Sequence, residues 1–442
     1  MENRMFRKNQ RIWLRSIFLV LAINCAWAQE KPSTQTVASS DVVVVLAAPL
    51  TLKQAFDAAW QRQPEAKSQL ARQHAVKARR QAADSLTPEP VAIEISGKTS
   101  LGLFNKNQGG REIVAGLSIP LWLPGERAST SALADAELIG SVSRITAAQL
   151  RTAGAVREVY WLLQRTRIEH DMARERVRSA QQLAVDVAKR VKAGDLAKAD
   201  QFQADGAVAS AEVSLAEIWS VVLAATQQWQ VLVDEAGYSA DISVKNTAVN
   251  IEAMPELPKT ALLWLETHPA LIELRDRSEI SQRLAELALN QTRMNPELSL
   301  AISRDRGQSS DPYQQAIAVG IRIPFGSDQR NHAKISTAQA EAIEAQTLTN
   351  VLRVNLVAQL DAARQRLESV QAQVVAANKR AQLAKELRGF IQKSFGLGQS
   401  DLPTRLRIES EAMEAERQAA RVRVDLAAAV SALRQALGLL PT

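Results

Sequence analysis

The chain is poor in the residues that build most globular cores. It has one cysteine in 442 residues, 18 glycines and 15 prolines, and aromatic residues make up 4% of it. A single cysteine excludes an internal disulfide framework. Cys25 falls inside the N-terminal leader described below, after Ala22-Ile23-Asn24, and asparagine is a poor residue in front of a lipidated cysteine. Its expected loss with the leader leaves no thiolate to act as nucleophile or metal ligand. Also absent is any clustering of histidine: His74, His170, His268 and His332 are isolated, with no H-x-x-x-H pair, and Met172, Met254, Met294 and Met413 are scattered. Surface or packing roles are expected for them, with no metal site, no cofactor and no catalytic constellation, so the chain reads as a non-enzyme.

Charge of one sign is scarce as well. The net charge is +7, but the leader's five basic residues and one acid account for four of those charges, which leaves about +3. A balance so near neutral gives no support to a nucleic-acid partner.

The leader comprises residues 1–28: a basic stretch with Arg4, Arg7, Lys8, Arg11 and Arg15, an apolar run from Ile17 to Ile23, and Ala26-Trp27-Ala28 as an A-x-A cleavage site. Its apolar run is shorter than the roughly 20 residues that span a bilayer, which favours a cleaved signal over a retained anchor. No later segment is expected to span as a helix. Residues 29–50 form an extended N-terminal segment.

What the chain does have is an internal echo. "GLSIPLWLPGERA" begins at Gly116 and "GIRIPFGSDQRNHA" at Gly320, 204 positions later. Gln63-Pro64 is answered by His268-Pro269 at an offset of 205, and Gly194 in "RVKAGDLAKAD" by Gly398 in "SFGLGQSDLPT" at 204. Motifs that keep order and offset indicate tandem duplication. The two repeats are residues 51–237 and 258–442, joined by a linker at 238–257.

Each repeat reads as helix, two strands, long helix, Gly turn and returning helix. Val91, Ile93, Ile95, Leu101 and Leu103 alternate with polar residues, as do Ile113, Ala115, Leu117, Ile119 and Leu121. The second repeat repeats this with Leu298, Leu300 and Ile302, then Ile317, Val319, Ile321 and Ile323. The predicted strands are 91–104, 111–121, 297–305 and 313–323, about the length that crosses a bilayer when tilted. The connecting "NKNQGG" and "RGQSSDP" contain no apolar residue, so each pair is a hairpin with a solvated tip. Half-buried hairpins on a soluble domain would alternate in the same way.

Proline-free helical pattern runs from Gly125 to Gly194 and from Gly326 to Gly396. Helices of about 68 residues would be roughly 100 Å long. Val177, Ala180, Ala184, Val187 and Val191, and Leu367, Val370, Val374, Ala377, Ala381 and Ala384, follow coiled-coil spacing. The helices at 51–86, 198–236, 258–293 and 401–438 are each near 37 residues, so two end to end match one long helix.

This pattern resembles the outer membrane factor (TolC-like) efflux family over nearly all of the chain after the leader. The matches are "LTLKQAFDAAWQRQPEA", the two Ile-Pro junctions, "RVKAGDLAKAD" and "LRQALG". "HPAL", "RMNPELSLAIS" and "PLWLPGER" are similar to its heavy-metal branch, represented by CzcC and CusC. The resemblance implies a mainly α fold with a small β part. Three protomers would each give four strands to a 12-stranded outer-membrane barrel above a periplasmic α-helical tunnel. It further implies a homotrimer in outer-membrane lipid of a Gram-negative bacterium, working with a periplasmic membrane-fusion adaptor and an inner-membrane RND pump. Its function would be that of exit duct of a tripartite efflux system for heavy-metal cations.

By the same resemblance, Gly194, Asp195, Leu196 and Ala197, with Gly398, Gln399, Ser400, Asp401 and Leu402, would form the periplasmic tip that meets the adaptor. Pro120, Pro124 and Gly125, with Pro324 and Gly326, would form the strand-to-helix junctions. TolC-like channels often carry acids six and nine residues after the second Gly, where this chain has Thr404 and Arg407; Asp200, six after the first Gly, keeps an acid. A gate closed by Arg407 pairing with Asp200 or Asp401 is expected. Organic toxins or secreted polypeptides are alternative cargo, and a periplasmic coiled-coil scaffold is the rival of a different class.

Overall fold

The computed structural model describes residues 51–99, 110–233, 251–257, 261–308, 310–326 and 328–442. The leader, the 29–50 segment, Leu101 and Leu103, most of the first hairpin tip and residues 238–250 of the linker lie outside the described residues.

Two prolines divide helices that the composition alone would leave whole. Residues 51–86 form α1 (Leu52–Arg62) and α2 (Pro64–Ala83), and the second repeat opens with α5 (Ala261–Thr267) and α6 (Pro269–Asn290). This corrects the expectation of one continuous helix at each place. Proline has no N–H to give to the preceding turn, and it drives the residue before it out of the α region. Gln63 and His268 are accordingly extended, with ψ of 137° and 122°. The start of α1 is set by a capping box in which Thr51 and Gln54 exchange side-chain and backbone hydrogen bonds of 3.3 and 2.9 Å.

The long helices form without a break: α3 (Glu126–Ala193) has 68 residues and α7 (Asp328–Gly396) has 69. The returning helices α4 (Lys198–Val233) and α8 (Leu402–Ala436) lie along them. The seams fall on the heptad residues, with Val177, Ala184 and Val187 buried in α3 and Leu367, Val370 and Ala377 in α7. A helix of such length is stabilised by this packing rather than by propensity. Tyr160, Trp161 and Trp229 supply much of the widest core, with Phe56 of α1 and Val424 of α8.

One helix departs from the expectation that no later segment could span a membrane. By length and composition α4 passes that test, with a window of mean hydropathy 1.5. Its longest apolar run, Val221-Val222-Leu223-Ala224-Ala225, has only five residues, and the rest of its hydropathy is spread among polar residues. Val213, Trp219, Val221, Leu223 and Val231 stay exposed on it.

The four strands, β1 (Ala92–Thr99), β2 (Arg111–Pro120), β3 (Glu297–Arg306) and β4 (Gln314–Arg322), make one antiparallel sheet in chain order. Its central pair joins the repeats, with Leu117 opposite Leu300 and Ile119 opposite Leu298. The pleat places Ile93, Ile95, Ile113, Leu117, Leu300, Ile302, Ile317, Val319 and Ile321 on one face, and all of them are exposed. The opposite face carries Glu94, Ser96, Glu112, Ser118, Ser299 and Ser303. An apolar sheet face with nothing packed on it is costly in water and suits lipid.

The end of the inter-repeat linker is pinned by charge. Glu252 is buried between Arg157 of α3, which binds it bidentately at 2.8 and 3.2 Å, and Arg434 of α8 at 3.1 Å. The Ser431 hydroxyl also donates to it, and Arg157 reaches on to Gln435 Oε1 at 2.6 Å and the Leu439 carbonyl at 2.9 Å. Gly154 makes room for Gln435, whose amide nitrogen would lie 3.0 Å from any Cβ there.

Removing one member of such a cluster strands the others. Glu252→Ala is expected to cost about 3–5 kcal/mol by leaving two buried guanidiniums uncompensated, seen as a large drop in the thermal midpoint. A midpoint within a degree of the parent would refute it.

His268 offers a second test. It is buried against Trp264, accepts from the Ala270 N–H at 3.3 Å, and burial pushes its pKa down to about 4. Above the ordinary histidine value both folded and unfolded chains are neutral there. As pH falls from about 6.5 to 4 only the unfolded chain takes the proton, so up to about 3 kcal/mol of stability is lost across that window. The first repeat holds Gln63 at the matching place, and His268→Gln should flatten this part of the stability profile; melting curves between pH 4 and 7 provide the check.

Candidate functional site

Both glycine turns fold as expected of left-handed caps, with φ of +84° at Gly194 and +73° at Gly398. The Gly194 and Asp195 N–H groups return to the Val191 and Arg190 carbonyls, and those of Gly398 and Gln399 to Phe395 and Ser394. Asp200 then caps the start of α4, its carboxylate accepting from the Ala197 N–H at 3.0 Å. Asp401 is the N-cap residue of α8, and Pro403 sits in its first turn.

The fold brings the two turns to one end of the molecule. Leu402 is buried with Leu183, Ala184, Val187, Ala204 and Phe395 in a single cluster to which Leu196 also packs. Asp195, Ala197 and Gln399 remain exposed, and Ser400 is half-buried. Three residues of this end were not legible as site residues in the sequence. The Arg190 guanidinium lies 4.8 Å from the Phe395 ring centre and donates to the Phe395 carbonyl at 2.8 Å, while the Arg405 guanidinium lies 5.0 Å from the same ring. Arg190 and Phe395 are 205 positions apart, so only the packing of the two repeats brings them together.

The residues that the resemblance implies as a gate pair otherwise than expected. Arg407 pairs with Glu411 at 2.7 Å, one turn along its own helix, and not with Asp200 or Asp401. Side chains four apart on a helix meet without any tertiary constraint, and this pairing wins here. The Asp401 carboxyl is held below the ordinary carboxylate range, mainly by the Thr404 side chain, with Arg407 adding a smaller electrostatic pull. Burial lowers the pKa of Arg405.

At the other end, the junctions turn strand into helix. Pro120 closes β2, and the Leu121 N–H donates to the Pro296 carbonyl at 2.7 Å. Pro124 leads into Gly125, at φ +81°, where a Cβ would meet Asn290 at 3.3 Å. Pro324 leads to Gly326 at φ +83°. The next residue of the first junction, Glu126, is buried and accepts from the Leu123 N–H at 3.0 Å, Gln291 at 2.8 Å and Asn295 at 2.8 Å. A carboxylate so placed neutralises the N-terminus of α3 and ties the first junction to the second repeat.

Among the described residues no group of three or more His, Cys, Asp or Glu side chains could hold a metal ion. The geometry therefore offers a sheet with an exposed apolar face at one end, a two-turn tip at the other, and paired long helices between.

A four-stranded sheet with an exposed apolar face, carried through proline turns on two helices of roughly 100 Å, defines the fold of the outer membrane factor channels. Solved structures bear out that resemblance. The chain matches the outer membrane protein VceC from Vibrio cholerae with a TM-score of 0.71 at 17% identity, covering 88% of this chain and 97% of that one. CusC, described as forming a transmembrane channel, matches with a TM-score of 0.73 at 16% identity over 88% and 92%. In sequence, the chain is 25% identical over 253 residues to the cobalt-zinc-cadmium resistance protein CzcC of Cupriavidus metallidurans, which is 56% of this chain and 57% of CzcC. The match thus spans a little over half the length of that relative. No family model matches the chain.

The aromatic clamp at the tip is testable. Phe395→Leu keeps an apolar side chain but removes the ring shared by two cations, worth about 1 kcal/mol or more. Amide exchange should quicken at residues 186–196 and 393–406 and stay unchanged around Trp161; equal exchange in both regions would refute the clamp.

Proposed function

We propose that this chain is the outer-membrane exit duct of a tripartite efflux system that expels heavy-metal cations. The observation that carries the metal assignment is the sequence similarity to a cobalt-zinc-cadmium resistance protein. The duct assignment is supported by the fold and by the unpacked apolar face of the sheet. In this reading three copies close their sheets into one barrel, which removes the unpaired edges of β1 and β4 that lipid cannot satisfy. The exposed apolar surface of α4 and α7 then lies between copies. Gly194 to Ala197 and Gly398 to Leu402 meet a periplasmic adaptor, which connects to an inner-membrane pump of the RND class. Asp200, Thr404 and Arg407 line the narrow end, and the pump and adaptor choose the cargo.

The duct itself needs no chemistry beyond a continuous water-filled passage. Export to the outer membrane follows from the leader and the hairpins together.

Deletion of the gene should raise cell-associated cobalt, zinc or cadmium several-fold under metal challenge and lower the tolerated concentration, with complementation restoring both. A panel of nickel, copper, silver, dyes and antibiotics run alongside separates the cargo classes. Accumulation of organic compounds with unchanged metal content would overturn the metal assignment and leave the duct; no phenotype with any compound would count against export altogether.

A further inference from the structure

Between α2, α3 and α6 runs a groove of about 730 Å³, a size common among small-molecule sites. Helices α2 and α6 both pack on α3, and the glycine at position 140 admits the Ile280 side chain, whose Cδ1 would lie 2.8 Å from a Cβ there and which with Val76 gives the groove an apolar floor. Five arginines and three glutamates line it. Two of the pairs are closed: Arg79 with Glu137 at 3.2 Å, and Arg151 with Glu273 at 2.7 Å.

Three arginines are left over. Arg72 is tied only through Nε, to Ser68 Oγ at 3.0 Å. Arg144 and Arg277 have no hydrogen-bond or ion-pair partner among the described residues, though one comes from α3 and the other from α6. The remaining acid, Glu65, lies at the N-terminal end of α2, about 10 Å of helix away from Arg72. Guanidiniums from three separate helices therefore line one space without a paired carboxylate, in a groove whose five arginines outnumber its three glutamates; beside Gly140 the half-buried Asp276 also has an Oδ2 without a hydrogen-bond partner. Like charges so arranged repel until an anion joins them, and the guanidinium fork fits the paired oxygens of carboxylate and phosphate.

We propose that the α2–α3–α6 groove binds a small multivalent oxyanion through Arg72, Arg144 and Arg277. The site is independent of the metal assignment, because an arginine-lined groove does not hold a bare cation. Its ligand carries two or more carboxylate or phosphate oxygen groups spaced to reach more than one helix, and the apolar floor accepts a short carbon frame between them.

The test is calorimetric titration of the purified full-length protein, in detergent at low ionic strength, with citrate and with inorganic phosphate, and with acetate as the monovalent control. At least one multivalent anion should bind about tenfold or more tighter than acetate. Arg144→Gln and Arg277→Gln should each weaken it about threefold or more, and Arg144→Lys less than Arg144→Gln. Both arginines are exposed and unpaired, so neither change removes a contact of the fold, and equal melting temperatures verify this. Citrate binding alone assigns a carboxylate ligand, and phosphate binding alone a phosphate ligand. Equal, weak heats from all three anions, or affinities unchanged in both single variants, overturn the proposal.

Discussion

The buried cluster of Arg157, Glu252 and Arg434 is the interaction on which the two halves depend. One arginine belongs to the first repeat and the other to the last helix, and the carboxylate belongs to the segment between them. Two cations and one anion out of water need further partners, and Ser431 supplies one to Glu252, Gln435 and the Leu439 carbonyl supply them to Arg157, and the Ala253 and Leu440 carbonyls to Arg434. The cluster is thus specific in a way that the surrounding alanine-rich seams are not. Those seams would tolerate sliding by a heptad, whereas the cluster has one geometry.

From that fixed middle the molecule extends both ways by repetition. Long helices carry the chain away from the centre, and their length is bearable because each is zipped to a partner by small residues. The prolines at 64 and 269 let the shorter helices bend beside the clusters of Trp161 and Trp264, and glycine reverses the chain at the far end. At the sheet end the requirement is reversed: apolar side chains face outward, and Glu126 binds one strand-to-helix turn to the other repeat.

Tip, junction and groove differ in how visible they were. The glycines and prolines could be read directly because each does something no other residue does to the backbone. Arg190, Phe395 and Arg405 carried no such mark, since arginine and phenylalanine occur anywhere on a helix. Only the packing of three helix ends placed one ring between two guanidiniums. Arg407 illustrates the converse: family pattern suggested a distant partner, and local helix geometry supplied Glu411 instead. Two continuous helices were expected where proline cuts each in two, and the apolar quality of α4 was hidden because its apolar residues are broken into runs of five or fewer.

What the sequence determined by itself was the periodicity: two repeats about 204 residues apart, strands of period two, helices long enough for coiled coils, and turns at glycine and proline. These follow from local sterics and from hydrophobic patterning, which are properties of neighbouring residues. The tertiary structure alone decided which charges meet from one helix to another. Partners such as Arg157 and Glu252, or Glu126 and Gln291, lie far apart in the chain, and the groove arginines come from three separate helices. Electrostatic partnership depends on distance through space and on the loss of water around each group, and neither is written in the order of residues.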